Sequence, residues 1–152
     1  MTVQGDDVAL IRRWFQRLQV CIQTVDFAGS RPLFAEDLIT FGTFTAFTLG
    51  REATEQEQWR HVWGQIDQFR WRLDELRTII SADRLTGVAM AVFESTGYTE
   101  DGVAFDRPGR ATIVLGRKAV GEEWTAQHTH VSLFPGTPSR SFGSKQEKTP
   151  AL

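Results

Sequence analysis

Val8, Ile11, Phe15, Leu18 and Ile22 recur in steps of three and four residues, which puts all five on one side of an α-helix over residues 6–22. Asp6 or Asp7 can cap its start and meet the positive end of the helix dipole. A second, short helix is predicted from about Phe27 to Phe34, made irregular by Gly29 and Pro32. The stretch "DLITFGTFTAFTL" is rich in β-branched and aromatic residues, so it predicts a strand from Asp37 to about Phe41, a bend at Gly42 and more strand towards Leu49. Thr54 and Glu57 stand in capping-box spacing and predict a third helix, with Trp59, Val62, Trp63 and Ile66 on its apolar side and an end near Asp67.

From there the period changes from helical to two. "FRWRLDELRTII" alternates, with Phe69, Trp71 and Leu73 on one face, until the apolar phase slips near Glu75 and Leu76 and predicts a bulge. "LTGVAMAVFESTGY", "VAFDRPGRATIVLGR" and "WTAQHTHVSLF" follow, separated by turn signals at Asp83–Arg84, Asp101–Gly102 and around Gly121, which completes an antiparallel meander of four long strands. Helices in the N-terminal half and strands after them imply an α+β domain, with three helices covering one face of a curved sheet. The domain is expected over residues 1–137. The Pro-, Ser-, Gly- and Lys-rich residues 138–152 are expected to be a mobile tail.

Composition narrows the function classes. The chain of 152 residues is 41% hydrophobic and 24% charged, enough for one sizeable core. A formal net charge of −2 argues against a nucleic-acid binder, which needs a basic surplus to neutralise phosphates. The single Cys21 sits in the helical apolar pattern and reads as a packed thiol in a reducing compartment. There is no apolar run long enough for a membrane span and no cationic-then-apolar leader, so a cytoplasmic location is expected. Walker loops, G-x-G-x-x-G, nucleophile elbows and CxxC pairs do not occur.

The chemistry that stands out is in the last strand. In "WTAQHTHVSLFP", strict alternation puts Trp124, Ala126, His128, His130 and Ser132 on one face, so both imidazoles look into the same space. Three uses compete. A metal site would need a third ligand, most economically Glu94. A general acid or base needs a near-neutral pKa and an orienting carboxylate, for which Asp106 or Glu94 is available. A purely structural pair would hydrogen-bond across the sheet to Ser132, Thr112 or backbone. In "FDRPGR", Pro108 and Gly109 mark a break at a strand start. Asp106 can pair with Arg110 there, or Arg107 and Arg110 can clamp a phosphate or carboxylate.

The order of elements, "DFAGSRPLFAEDLITF" over residues 26–41, the "LG" before Arg51, and the spacing of Trp124, His128, His130 and Ser132 resemble the nuclear transport factor 2-like superfamily. Ketosteroid isomerase, SnoaL-like cyclases and the association domain of calcium/calmodulin-dependent protein kinase share that fold. The resemblance implies a cone-shaped curved antiparallel sheet, a cystatin-like α+β barrel, enclosing a pocket, with the outer sheet face available for a homodimer. Two positions depart from it. Gly42 stands where ketosteroid isomerase keeps its carboxylate base, and Ile113 where the association domain keeps a carboxylate-binding arginine. The leading expectation is a SnoaL-like small-molecule pocket protein with isomerase, cyclase or dehydratase chemistry on an apolar, oxygenated substrate. His128 would be catalytic, and His130, Trp63, Trp59, Asp26, Tyr98 and Glu94 would bind; no metal or cofactor is called for. The alternative is a non-catalytic homodimeric association or ligand-sensing module.

Overall fold

The computed structural model describes residues 3–41 and 46–150; the bend expected at Gly42 lies outside them. Helix α1 (Val3–Thr24) is followed by the single turn α2 (Phe27–Ser30) and a 3-10 turn at Arg31–Leu33. Strands β1 (Phe34–Phe41) and β2 (Thr48–Leu49) come next, then α3 (Arg51–Glu57). Six strands complete the chain: β3 (Asp67–Trp71), β4 (Arg77–Ile80), β5 (Thr86–Tyr98), β6 (Ala104–Asp106), β7 (Gly109–Gly116) and β8 (Thr125–Leu133). The sheet runs β2-β1-β8-β7-β5-β3, with β4 and β6 also paired to β5. The meander is antiparallel as expected, but β1 joins β8 in parallel, Ile39 opposite His128 and Phe41 opposite His130. The N-terminal strand thus closes onto the last one.

Ile11, Trp14, Phe15, Leu18 and Ile22 form the buried stripe of α1, as their spacing requires. Burying a side chain of this kind contributes about 1.5–3 kcal/mol, so this stripe is the main attachment of helix to sheet. Trp14 and Trp71 meet the edges of Phe15, and the Trp14 indole donates to the Leu33 carbonyl at 2.8 Å. The helix ends with the Asp26 amide donating to the Cys21 carbonyl at 2.8 Å across Val25, whose φ of 53° is the left-handed conformation usually given to glycine. Val25 is buried, and its packing offsets that strain.

Three local expectations are corrected. Asp6 and Asp7 do not cap α1, which is helical from Val3 among the described residues. The Thr54–Glu57 capping box does not form: Gly50 precedes the helix, and the Thr54 hydroxyl instead donates to the Gly50 carbonyl at 2.8 Å inside it. Trp59 to Ile66 is not a continuation of α3 but two 3-10 turns, Trp59–His61 and Trp63–Gln65, which tighten the chain so that both tryptophans turn inward. The phase slip near Glu75 is a 3-10 turn, Leu73–Glu75, that breaks the predicted strand into β3 and β4, both paired with β5.

Asp7 is 1% exposed and holds one end of the domain together. Arg84, in the β4–β5 turn, grips it with Nε at 2.6 Å and Nη2 at 2.9 Å, and the buried Arg117, just after β7, reaches the same carboxylate. Arg117 also lies 4.0 Å from the centre of the Trp124 ring, and that indole donates to the Asp7 carbonyl at 3.1 Å. Hydrogen bonding from Arg84, followed by Arg117, outweighs the opposing effect of burial and brings the Asp7 pKa down to about 2. A carboxylate depressed in the fold stabilises it above its unfolded value near 3.8 and loses that contribution as pH falls towards 2. Asp7→Asn, which leaves two arginines facing a neutral amide, should lower unfolding free energy by roughly 3–5 kcal/mol at neutral pH. It should also flatten the stability loss between about pH 4 and pH 2, both measured by urea denaturation.

Candidate functional site

Towards the other end of α1 the helix touches β3, where the Trp71 amide donates to Gln19 at 2.8 Å and Gln23 donates to the Phe69 carbonyl at 2.7 Å, but its Leu18–Ile22 face does not fill the space over the sheet. Leu18 and Ile22 above, the inner faces of β3, β5, β7 and β8 below, and the two 3-10 turns at the side leave a cavity of about 150 Å³. Its walls are mostly apolar: Phe34, Phe69, Phe93, Ile113, Val131 and Leu133 line it together with Trp59 and Trp63. The tryptophans are held by stacking. Trp63 lies parallel to Phe27, with 5.0 Å between ring centres, and to Trp59 at 5.3 Å, while Trp59 leans on Phe34 at 4.5 Å. Arg60 covers the far side of Phe27 at 4.4 Å.

Arg107 and Trp71 interrupt this apolar wall with donors. Arg107 is 5% exposed, follows β6, and is pinned by its backbone: its amide donates to the Ser95 carbonyl at 2.8 Å, and the Ser95 hydroxyl donates to the Arg107 carbonyl at 2.6 Å. Its Nη2 donates to the Ser139 carbonyl at 2.8 Å, but its buried Nε has no partner. Burial alone lowers its pKa, and no carboxylate acts on it. The buried indole Nε1 of Trp71 is likewise unpartnered. Thr129 adds a buried hydroxyl, and Glu57 and His61 stand exposed at the rim.

The mouth is braced from outside. Glu55, 3% exposed, takes a bidentate contact from Arg31 (2.9 and 3.1 Å) and two bonds from Arg60 (3.1 and 2.9 Å); the Arg31 bonds chiefly hold its pKa down. Residues 138–150 run past here as an extended strap. Phe142 donates to the Tyr98 carbonyl at 3.0 Å, Gly143 to Gln65 at 3.1 Å, Lys145 to Gly64 at 2.6 Å and Lys148 to Val25 at 2.9 Å, all through backbone amides. Backbone hydrogen bonding, invisible in composition, is what orders it. Contact is close: a Cβ at Gly64 would lie 2.9 Å from the Lys145 carbonyl oxygen. Ion pairs from Arg60 to Glu147, Lys145 to Asp67 and Lys148 to Asp26 complete the attachment.

No family model matches the sequence, and no curated protein matches it. Solved structures do. A nuclear transport factor 2-like protein from Salmonella enterica superposes with a TM-score of 0.70 at 17% identity, over 91% of this chain and 97% of its own. A ketosteroid isomerase-like protein from Erwinia carotovora gives 0.68 at 13% identity, over 83% and 95%. The association domain of the Caenorhabditis elegans calcium/calmodulin-dependent protein kinase II gives 0.63 at 18% identity, over 85% and 95%. The fold is that of the nuclear transport factor 2-like proteins. Within this fold the chain has neighbours described as isomerase-like and neighbours that are association domains.

In this nuclear transport factor 2-like fold, Trp59 and Trp63 line the cavity, whereas His128, His130, Asp26, Tyr98 and Glu94 are not among its lining residues. The two histidines do share a face, but it is the outer one. A bulge places Leu115 opposite Ala126 and Val114 opposite His128, so Gln127 is an extra residue and the phase of β8 reverses after it. Ala126 therefore points inward with Thr129, Val131 and Leu133, while His128, His130 and Ser132 point out. His128 Nδ1 lies 2.7 Å from the Ile39 carbonyl and, as a donor, bonds across the sheet; both imidazoles meet the Phe41 ring. Asp26 caps α2 through the Gly29 amide at 2.9 Å. The Tyr98 hydroxyl donates to Asp67 at 2.6 Å, a bond that raises its pKa, and the residue is the last of β5. Glu94 binds Arg70 and Arg72 on the outer face, and Arg70 is the main cause of its lowered pKa. Among the described residues no group of three His, Cys, Asp or Glu could hold a metal, and no helix is long and apolar enough to cross a membrane. Arg110 bonds Ser132 outside at 3.0 Å, so Arg107 stands in the cavity wall without it. Trp71, one of five tryptophans that could wall a pocket or fill the core, lies in the cavity lining and is itself buried. Replacing Ser141, which accepts from the Tyr98 amide and donates to the Gln65 carbonyl, by alanine should cost roughly 1–3 kcal/mol. It should also speed hydrogen exchange at Phe142, Gly143 and Lys145, measured by NMR.

Proposed function

We propose that this protein is a ligand-binding module that takes one small, largely apolar molecule into the cavity between α1 and the sheet, and that it does so without acid–base catalysis. The carrying observation is the aromatic wall, in which Trp59 and Trp63 stack on each other at the side of the cavity. Pockets of this make-up, apolar with a few convergent polar groups, are the usual small-molecule sites of globular proteins. An isomerase, cyclase or dehydratase reading rested on His128, whose ring is outside, and the carboxylate in the cavity lining, Glu57, is at the exposed rim. Toluene, a neutral probe of the cavity, should bind and quench tryptophan fluorescence. Ile113→Trp, which fills the space, should abolish that binding, while His128→Ala and His130→Ala should leave it within about twofold.

The ligand-binding unit is proposed to be a homodimer joined through the outer sheet face. That face carries a shallow depression of about 500 Å³ between Arg77, Met90, Thr112 and His130, with Glu75 and Arg110 at its edges, and Ile79 exposed beside it on β4. Mixed apolar groups and charges of both signs on one patch suit a two-fold, self-complementary contact. Similarity to an association domain supports an oligomer. Light scattering should give twice the chain mass, and Thr112→Arg at the centre of the face should give monomers that still bind toluene.

A further inference from the structure

Resting on the proposed dimer, we infer that His128 and His130 form half of a metal site on the outer face of the sheet. The same two residues of a second copy complete it, and the site takes a divalent transition-metal ion such as zinc. Both positions have a fixed backbone, because β8 is paired on both sides there: Ile39 and Val114 flank His128, and Phe41 and Thr112 flank His130. Alternate residues of a strand stand roughly 6.6 Å apart on one face, a spacing from which two imidazoles can converge on one ion at metal–nitrogen distances of about 2.0–2.1 Å. Both rings also meet the Phe41 phenyl at steep angles, with centres 5.4 and 5.2 Å from it, so one aromatic ring buttresses the pair.

Hydrogen bonding sets the tautomer that a ligand needs. His128 Nδ1 lies 2.7 Å from the Ile39 carbonyl oxygen, which can only accept, so Nδ1 carries the proton and the neutral ring presents a bare Nε2. Metal-binding histidines are oriented by just such a bond from their second ring nitrogen. His130 is exposed, and among the described residues its ring nitrogens make no hydrogen bond, so either can coordinate. Two imidazoles do not satisfy zinc, which takes four ligands in a closed site. Among the described residues no third His, Cys, Asp or Glu joins the pair, and Glu94 is held by Arg70 and Arg72. The remaining ligands therefore come from outside the chain. A two-fold contact supplies them, because it sets a patch against its own copy. His130 lines the outer depression assigned to that contact, opposite Thr112. Four imidazoles make a tetrahedral set, and imidazole suits zinc, copper and nickel among the divalent ions.

The test titrates zinc into the full chain, stripped with EDTA, by isothermal titration calorimetry, and follows association by sedimentation velocity in zinc and in EDTA. Wild type should bind one zinc per two chains, and its dimer dissociation constant should be at least tenfold lower in zinc. His128→Gln and His130→Gln should each weaken zinc at least tenfold and remove the effect of zinc on association, while Glu94→Gln should leave zinc affinity within about twofold. One zinc per chain, zinc binding that survives both histidine variants, or a dimer constant indifferent to zinc would overturn the shared site. A dimer that persists in EDTA beside any of those results leaves the outer-face interface standing. A monomer in both zinc and EDTA removes the interface and the site together. Should a histidine variant not fold, the wild-type stoichiometry and the zinc dependence of its association decide the matter.

Discussion

The arrangement depends on one buried carboxylate. Asp7 anchors the N-terminal half of α1 to two points of the sheet that are distant in sequence, the β4–β5 turn through Arg84 and the end of β7 through Arg117. With that end fixed by charge and Trp124 sealed beneath it, the helix is held over the sheet, and in its C-terminal half Gln19 and Gln23 bond β3 while Leu18 and Ile22 roof the cavity. A cavity in a domain of this size needs such a constraint, because dispersion and hydrophobic contact both favour collapse of unfilled space. Polar tethering at one end and aromatic stacking at the other keep the walls apart.

Much of this was legible in the sequence. Four of the five predicted stripe residues of α1, Ile11, Phe15, Leu18 and Ile22, are in the core, joined by Trp14 while Val8 is only half-buried, and the hairpin strands announced themselves through alternation and through turn residues such as Gly102 and Gly121, both at positive φ. What failed did so for identifiable reasons. Thr54 and Glu57 have capping-box spacing, but spacing does not say which residue the chain uses to enter a helix, and Gly50 is that residue. The docked strap has almost no apolar residues, so a composition argument removes it from the fold, although its backbone amides find carbonyls at Gly64, Gln65, Tyr98 and Val25.

The functional site shows a sharper lesson. Alternation put His128 and His130 on one face correctly and then assigned the wrong side, because a single extra residue at Gln127 inverts everything after it. No composition signal marks that bulge; it is set by pairing with β7, a long-range property. Arg107 was legible as an anion-binding candidate from "FDRPGR", yet its supposed partner Arg110 sits beyond the Pro108–Gly109 break and bonds outside. Trp71 could be read as core or as pocket wall, and that its indole donor lacks a partner becomes visible only once every acceptor around it has been placed. Ile113, which stands where the association domain keeps an arginine, does line the cavity.

The parallel contact of β1 with β8 has a consequence for biosynthesis. All neighbours of β1 on that side come from residues 126–130, some ninety positions later, and the strap that braces Gly64 and Gln65 comes later still. During translation the first half of the molecule therefore emerges with an open sheet margin and an unbraced aromatic wall, a state exposed to wrong partners for several seconds at ordinary elongation rates. The cavity walls are therefore incomplete until β8 has been made, and the strap against Gly64 and Gln65 follows it.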